Sequence, residues 1–277
     1  MNDMQEYSGF AYVYDMFMDN VPYDEWTNYL HGLLIENGVN DGLVLDLGCG
    51  TGNVTRRLRD VGYNMIGVDL SPEMLQIAIE KENVPIGTAE TGNEENPDNR
   101  EILYLNQDMR EFELYGSVAA IVSICDSMNY ITSEEDLMKV FRLAENYLDP
   151  NGVFIFDMNT EYYYRNVLGE QTICENRDEG SFIWENYYDE ESGINEFDMT
   201  IFVDEAALKK QKDTGVFHRY NELHRQKAYR LQDVRKLLKK AGFGNIRTYA
   251  ALSHEAPNSG TERVYFVAER IRQQIPE

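Results

Sequence analysis

Residues 46–52 read Asp46-Leu47-Gly48-Cys49-Gly50-Thr51-Gly52, directly after the apolar run Leu43-Val44-Leu45 and directly before a stretch with helical spacing. A second acid, Asp69, closes the next apolar run, 65–68. A strand that ends in a glycine-rich turn lets the backbone approach a ligand closely, because glycine has no side chain and tolerates unusual dihedrals. Asp69 then stands where an acid at the tip of the second strand can accept hydrogen bonds from a ribose diol.

On either side of this stretch, apolar runs alternate with amphipathic ones. Strands are expected at 43–47, 63–69, 102–105 and 118–124, with a helix over 52–61 between the first two. Ser71-Pro72 supplies an N-cap and first-turn pair for a helix through Lys81. Ser133 caps a helix whose Leu137, Val140, Phe141, Ala144 and Leu148 share one face, and the turn Asp149-Pro150-Asn151-Gly152 leads into a fifth strand at 153–157. This alternation predicts an α/β fold, a doubly wound, mostly parallel sheet. Upstream, 7–19 is an aromatic-rich short helix carrying Tyr7, Phe10, Tyr12, Tyr14 and Phe17, and 22–37 a second helix stopped by Gly38. The polar stretch 90–100 reads as a solvated loop.

Near Glu161 the period changes from helical to two. Phe182, Trp184 and Tyr188, then Phe197, Met199, Ile201 and Val203, alternate with polar residues about the turn Glu190-Glu191-Ser192-Gly193, and 216–229 is long enough for a third strand. Helical spacing returns at 231–240, followed by strands at 245–252 and 263–268. The expected organisation is a core of 1–160 and 231–277 with an antiparallel β insertion, 161–230, as a substrate lid.

The 277 residues carry 25 Lys+Arg against 49 Asp+Glu, a formal charge of -24, which repels phosphate backbones and argues against a nucleic-acid partner. Cys49, Cys125 and Cys174 are an odd, sparse set with neither a disulfide framework nor metal-ligand spacing, so no metal is expected. The N-terminus lacks a basic and apolar leader, and no stretch approaches 18 apolar residues, so a cytoplasmic protein without membrane attachment is expected.

A glycine-rich strand-to-helix turn with an acid about 20 residues on also describes the nicotinamide dinucleotide fingerprint. Here the third glycine of that fingerprint would fall at Asn53, and Asp46, two residues before the first glycine, has no use in it. An acid at Asp46 suits a ligand with a positive amine. S-adenosylmethionine carries such an ammonium group, a ribose diol for Asp69, and an adenine amine from which Asp108, after the third strand, can accept. Met109 beside it can pack on the purine.

With these residues the chain resembles the class I S-adenosylmethionine-dependent methyltransferases over about 200 residues, and in layout the small bacterial enzymes with an antiparallel lid after strand five, such as glycine and sarcosine N-methyltransferases. The resemblance implies a seven-stranded Rossmann-like sheet. It assigns the loop of Gly48, Cys49, Gly50 and Gly52 to the methionine part of the cofactor, Asp69 to ribose and Asp108 to adenine. Leu70 and Met74 are implied neighbours of the cofactor, and Tyr14 resembles the family tyrosine that closes over it. The reacting methyl is implied near 124–130, where Cys125, Asp126 and Asn129 stand at the tip of a buried strand. That segment departs from the proline-containing tetrapeptide of the DNA and protein-glutamine amino methyltransferases, so such substrates are not implied.

On 216–229, Glu222 and His224 share a face by period two; His224 is a candidate general base or a structural histidine. The rings Tyr162, Tyr163, Tyr164, Phe182, Trp184, Tyr187 and Tyr188 either form the insertion's own core or offer cation–π contact to an amine acceptor. The expected function is methyl transfer to nitrogen or oxygen of a small molecule by direct displacement. A non-catalytic S-adenosylmethionine-binding protein and a nicotinamide-dependent oxidoreductase are the alternatives. The acceptor, the methylated atom and the oligomeric state stay open.

Overall fold

Leu43–Leu47 (β1) is buried at its last four positions and is flanked by parallel neighbours on both sides, Asn64–Asp69 (β2) and Val118–Ser123 (β4). Alternation along β1 sends Leu45 and Leu47 into one core layer and Val44 into the other, so the strand needs helices on both faces. The computed structural model describes residues 10–82, 100–206 and 215–271. Tyr7, the side chain of Tyr12 and the stretch 90–99 lie outside them.

The sheet has seven strands in the order β10-β11-β5-β4-β1-β2-β3. Besides those above these are Leu103–Asn106 (β3), Leu148–Asn159 (β5), Phe243–Ala250 (β10) and Arg263–Arg270 (β11); β11 runs antiparallel between β5 and β10. The described α-helices are Phe10–Phe17 (α1), Tyr23–Glu36 (α2), Asn53–Asp60 (α3), Pro72–Lys81 (α4), Glu134–Tyr147 (α5) and Leu231–Ala241 (α6), with a 3-10 turn at Ser127–Tyr130 and a π-helical turn at Tyr163–Leu168. One face buries Leu30, Leu33 and Leu34 of α2 with Leu58 of α3; the other buries Phe141 of α5 with Leu237 and Leu238 of α6. The Ser71 hydroxyl accepts the Met74 N–H at 3.1 Å, and the Ser133 hydroxyl accepts that of Asp136 at 3.1 Å, so both expected caps form. The chain reverses its direction of winding between β1 and β4. A crevice therefore opens beyond the carboxyl ends of the parallel strands.

Two elements differ from the sequence reading. β5 begins at Leu148, ahead of the Asp149–Gly152 turn, because Leu148 already pairs with Val118 and the turn is absorbed as an irregularity between Val118 and Ala120. Asn151 takes the left-handed turn position, φ 69°, and a side chain at Gly152 would meet the Ala119 and Asp149 carbonyls at 2.9 Å. The insertion has four strands rather than three: Thr172–Asn176 (β6), Gly180–Asp189 (β7), Ile194–Asp204 (β8) and Phe217–Lys227 (β9). β6 is an edge strand with no fully buried position, so it carries little hydrophobic alternation to read.

Helix α1 packs Val13 and Phe17 on the inner face of this second sheet, against Phe182, Phe197, Met199, Ile201 and Val203. Arg177 secures the contact by pairing with Asp19 and donating to the Met16 carbonyl.

Candidate active site

The tip of β1 turns sharply because the Gly48 and Cys49 N–H groups both donate to the Val68 carbonyl, at 2.7 and 3.0 Å. Gly48, Gly50 and Gly52 all have positive φ, 83°, 53° and 74°. A Cβ on Gly48 would meet the Ser127 side chain at 2.8 Å, whereas one on Gly50 would meet nothing within 4 Å. Gly48 is therefore required by packing, whereas at Gly50 only the left-handed φ favours glycine and the space in front of it is open. That space belongs to a cavity of about 520 Å³ lined by Asp46, Gly48, Cys49, Gly50, Asp69 and Met74 at this end.

Asp69 accepts the Gly50 N–H at 2.7 Å and the Ser71 N–H at 2.9 Å, one on each carboxylate oxygen. Those bonds fix the carboxylate and leave lone pairs for a diol. Asp46 is buried, accepts the Thr55 hydroxyl at 2.6 Å, and is pushed up to about 7 by burial. A buried carboxylate facing a cavity is relieved by a cation. The open recess at Gly50, the strained charge of Asp46 and the fixed oxygens of Asp69 fit S-adenosylmethionine, whose ammonium and ribose match the last two.

Helix α1 covers this end. Asp15 accepts from Thr51 and Asn53, each at 2.7 Å, and from Lys81 at 2.6 Å, which ties α1 to the glycine loop and to α4. Asn53, where a dinucleotide site requires glycine, thus uses its side chain to hold the lid helix. Tyr14 lines the cavity beside Tyr23, and burial pushes its hydroxyl far up, so it stays a neutral donor.

At the tip of β4, Cys125 and Asp126 both adopt left-handed backbone, φ 61° and 53°. Two consecutive non-glycine residues in that region cost roughly 1–2 kcal/mol each, and such strain gathers at functional sites. An ion-pair cluster, fully buried at Asp157 and partly exposed at Arg263 and Asp126, holds the turn. Arg263 donates to Asp126 at 2.7 Å and to Asp157 at 2.6 Å, Asp157 accepts the Asp126 N–H at 2.8 Å, and Gln226 donates to Asp126 at 2.6 Å. Asp126 therefore lines the cavity with both oxygens already engaged.

Beyond Cys125 the cavity continues under the insertion, where Phe182, Trp184, Phe197, Met199 and His224 of the second sheet line it together with Tyr130. His224 is buried, stacked on Phe197 at 4.9 Å, and has Glu222 and Tyr130 at its two ring nitrogens, 3.2 and 3.3 Å away. Of the insertion's rings, Phe182, Trp184 and Tyr163 line the cavity; Tyr164 is buried with its hydroxyl on Gln226, Tyr188 stacks on Tyr164, and Tyr162 and Tyr187 are exposed.

Four residues proposed from sequence stand elsewhere. Asn129 is buried behind the cavity, where its amide brackets the Asn159 backbone and the Lys227 carbonyl, joining core to insertion. Asp108 is absent from the cavity lining because Arg110, two residues on, takes both of its oxygens; burial opposes this, but the Arg110 bonds hold the carboxyl below its ordinary range. Met109 packs beneath Gly48, its methyl 3.3 Å from where a Cβ would stand, and Leu70 points out to solvent. The residues that the sequence reading did not single out are Arg263, Gln226 and Trp26, whose ring lies 5.2 Å under the Arg263 guanidinium. Arg263 leaves one local trace, a charged residue opening a strand whose next five residues are buried.

Residues 44–152 match the family model described as a methyltransferase domain. The chain is 32% identical over 269 residues to the putative methyltransferase YqeM of Bacillus subtilis (strain 168), which spans 96% of this chain and 98% of that relative. It is 26% identical over 232 residues to the glycine/sarcosine N-methyltransferase of Halorhodospira halochloris, 82% of this chain and 75% of that one. The crystal structure of an S-adenosylmethionine-dependent methyltransferase from Clostridium acetobutylicum ATCC 824 matches with a TM-score of 0.78 at 30% identity, over 95% of this chain and 98% of that chain. Fold, site and relatives together define a class: the chain belongs to the class I S-adenosylmethionine-dependent methyltransferases. Its cofactor is S-adenosylmethionine. Among the described residues no helix is long and apolar enough to cross a membrane.

Proposed function

We propose that the protein methylates a nitrogen or oxygen of a small molecule by direct displacement, with the insertion 161–230 serving as the acceptor lid. The observation that carries this reading is the continuity of one cavity from the glycine loop to the inner face of the second sheet, roofed by α1. When bound, S-adenosylmethionine supplies an electrophilic methyl group on a sulfonium. The protein's part is to hold donor and acceptor in line and to exclude water. Asp46, Asp69 and the backbone of Gly48–Gly52 are the residues proposed to hold the donor, with Tyr14 covering it.

Cys49 and Cys125 line the cavity, but burial pushes both thiols far up, which disfavours a thiolate and a covalent relay of the methyl. The lining carries Asp46, Asp69, Asp126 and Glu175 against Arg263, a balance that suits a neutral or cationic acceptor. The small-molecule acceptor named for the Halorhodospira halochloris relative is consistent with this choice.

Calorimetry with S-adenosylhomocysteine is expected to show one site, weakened at least about tenfold in Asp69→Ala, the scale of a lost charge-assisted hydrogen bond. Methyl-labelled S-adenosylmethionine incubated with protein and a cell extract is expected to label the dialysable fraction. Label confined to protein or RNA would sink the small-molecule reading.

A further inference from the structure

We propose that Tyr130, His224 and Glu222 form a proton relay that takes the acceptor's proton as it is methylated, with the Tyr130 hydroxyl as the group that meets the acceptor. This deepens the proposed function and rests on it. The three side chains come from two parts of the fold. Tyr130 closes the short 3-10 turn Ser127–Tyr130 that follows the strained tip of β4, and Glu222 and His224 stand two apart on β9 of the insertion. Their polar atoms are in line: Tyr130 Oη lies 3.3 Å from His224 Nδ1, and His224 Nε2 lies 3.2 Å from Glu222 Oε2.

Tyr130 and His224 line the cavity, and Glu222 sits behind them, 3% exposed. The inner face of β9 is the unusual element. Where a lid strand would ordinarily bury apolar side chains, Glu222, His224 and Gln226 are buried in succession, opposite Met199, Phe197 and Asn195 of β8. Gln226 is spent on Asp126 and Tyr164. Glu222 and His224 pair with each other, Oε2 to Nε2, and His224 turns its other nitrogen to Tyr130 at the cavity wall.

Hydrogen-bond inventory sets the direction of transfer. A carboxylate only accepts, so Glu222 requires the hydrogen of neutral His224 to be on Nε2. Nδ1 is then a bare lone pair, and the Tyr130 hydroxyl must donate to it. Stacking on Phe197, with ring planes 13° apart, keeps the imidazole from turning away. A phenol oxygen that donates its hydrogen still has lone pairs with which to accept a proton.

As the acceptor's nitrogen or oxygen gains its new bond to carbon, its N–H or O–H bond breaks toward Tyr130 Oη, and the bonding pair stays on the acceptor atom. The hydroxyl hydrogen of Tyr130 passes to His224 Nδ1 in the same movement, leaving tyrosine neutral. The positive charge ends on His224 against Glu222, and the extra proton is later released to solvent. Glu222 and His224 are thus positioning and proton-accepting residues, and Tyr130 is the catalytic residue. The relay serves an acceptor whose reacting atom still bears a hydrogen, a neutral primary or secondary amine or a hydroxyl.

The test is nitrogen–proton correlation spectroscopy of histidine-labelled protein saturated with S-adenosylhomocysteine, at neutral pH. The expected result for His224 is the Nε2–H tautomer with a non-protonated Nδ1 whose resonance shifts in Tyr130→Phe, and loss of that tautomer preference in Glu222→Gln. An Nδ1–H tautomer, or an Nδ1 resonance unmoved by Tyr130→Phe, would overturn the relay. Calorimetric saturation of the same sample separates the two claims: failure to bind S-adenosylhomocysteine counts against the proposed function, whereas binding with the wrong tautomer counts against the relay alone.

Discussion

Asp46 shows what a single residue contributes. Its folded carboxyl titrates at about 7, raised by burial, so the folded state holds a proton that the unfolded chain has lost. A raised carboxyl favours the fold below its unfolded value and loses that contribution as pH rises through the folded one. Stability relative to Asp46→Asn should therefore fall as pH rises from about 4 to about 7, by at most roughly 4 kcal/mol on 1.36 kcal/mol per unit, and thermal unfolding across that range measures it. Ligand binding runs the other way. The ionised carboxylate is the form that meets an ammonium, so affinity for S-adenosylmethionine should rise over the same interval and be flat in Asp46→Asn. Calorimetry showing equal slopes for both proteins would remove Asp46 from the donor site. At this scale the sequence was legible where the determinant is local: the φ values of Gly48, Gly50 and Gly52 and the acid closing β2 are visible as residue types. The engagement of Asp108 was not legible, because it depends on a neighbour, Arg110, whose long side chain turns back on it.

Among the elements, α1 couples the two sheets. It carries Asp15 toward the glycine loop and Phe17 toward the insertion, where it meets Phe182 edge-on at 4.8 Å. Asp15→Ala leaves Thr51, Asn53 and the half-buried Lys81 without that carboxylate; hydrogen bonds to charged groups are worth about 1.5–3 kcal/mol each. The expected outcome is at least about a tenfold loss of S-adenosylhomocysteine affinity with faster proteolytic nicking around α1, read by calorimetry and limited proteolysis. Unchanged affinity and nicking would mean that α1 is mere packing. Long periodic elements such as α5 and β8 were readable because their apolar spacing repeats over many residues. β6 was not, since an edge strand of half-exposed residues has no such repeat.

For the whole molecule, Arg263 is the tie between β11, the β4 tip and β5. Its removal leaves Asp157 buried without a counter-charge, and breaking a buried pair from one side costs about 3–5 kcal/mol. Arg263→Met should lower the thermal midpoint markedly and, by releasing the Cys125–Asp126 turn, reduce methyl transfer more than donor binding. A variant as stable as the parent would show that the cluster is solvated and the turn held by other means.

The sequence by itself determined the donor, S-adenosylmethionine, and the end of the cavity proposed to hold it. That end is built from one short stretch and two strand tips, and its requirements, glycine's free φ and acids at fixed spacing, are properties of neighbouring residues. The tertiary structure decided the end of the cavity proposed for the acceptor, because Tyr130, Trp184, Phe197, His224 and Arg263 meet there from four strands and a turn spread over more than a hundred residues. No period or spacing along the chain records such a meeting; it exists only once the second sheet has packed against α1 and the strained tip of β4.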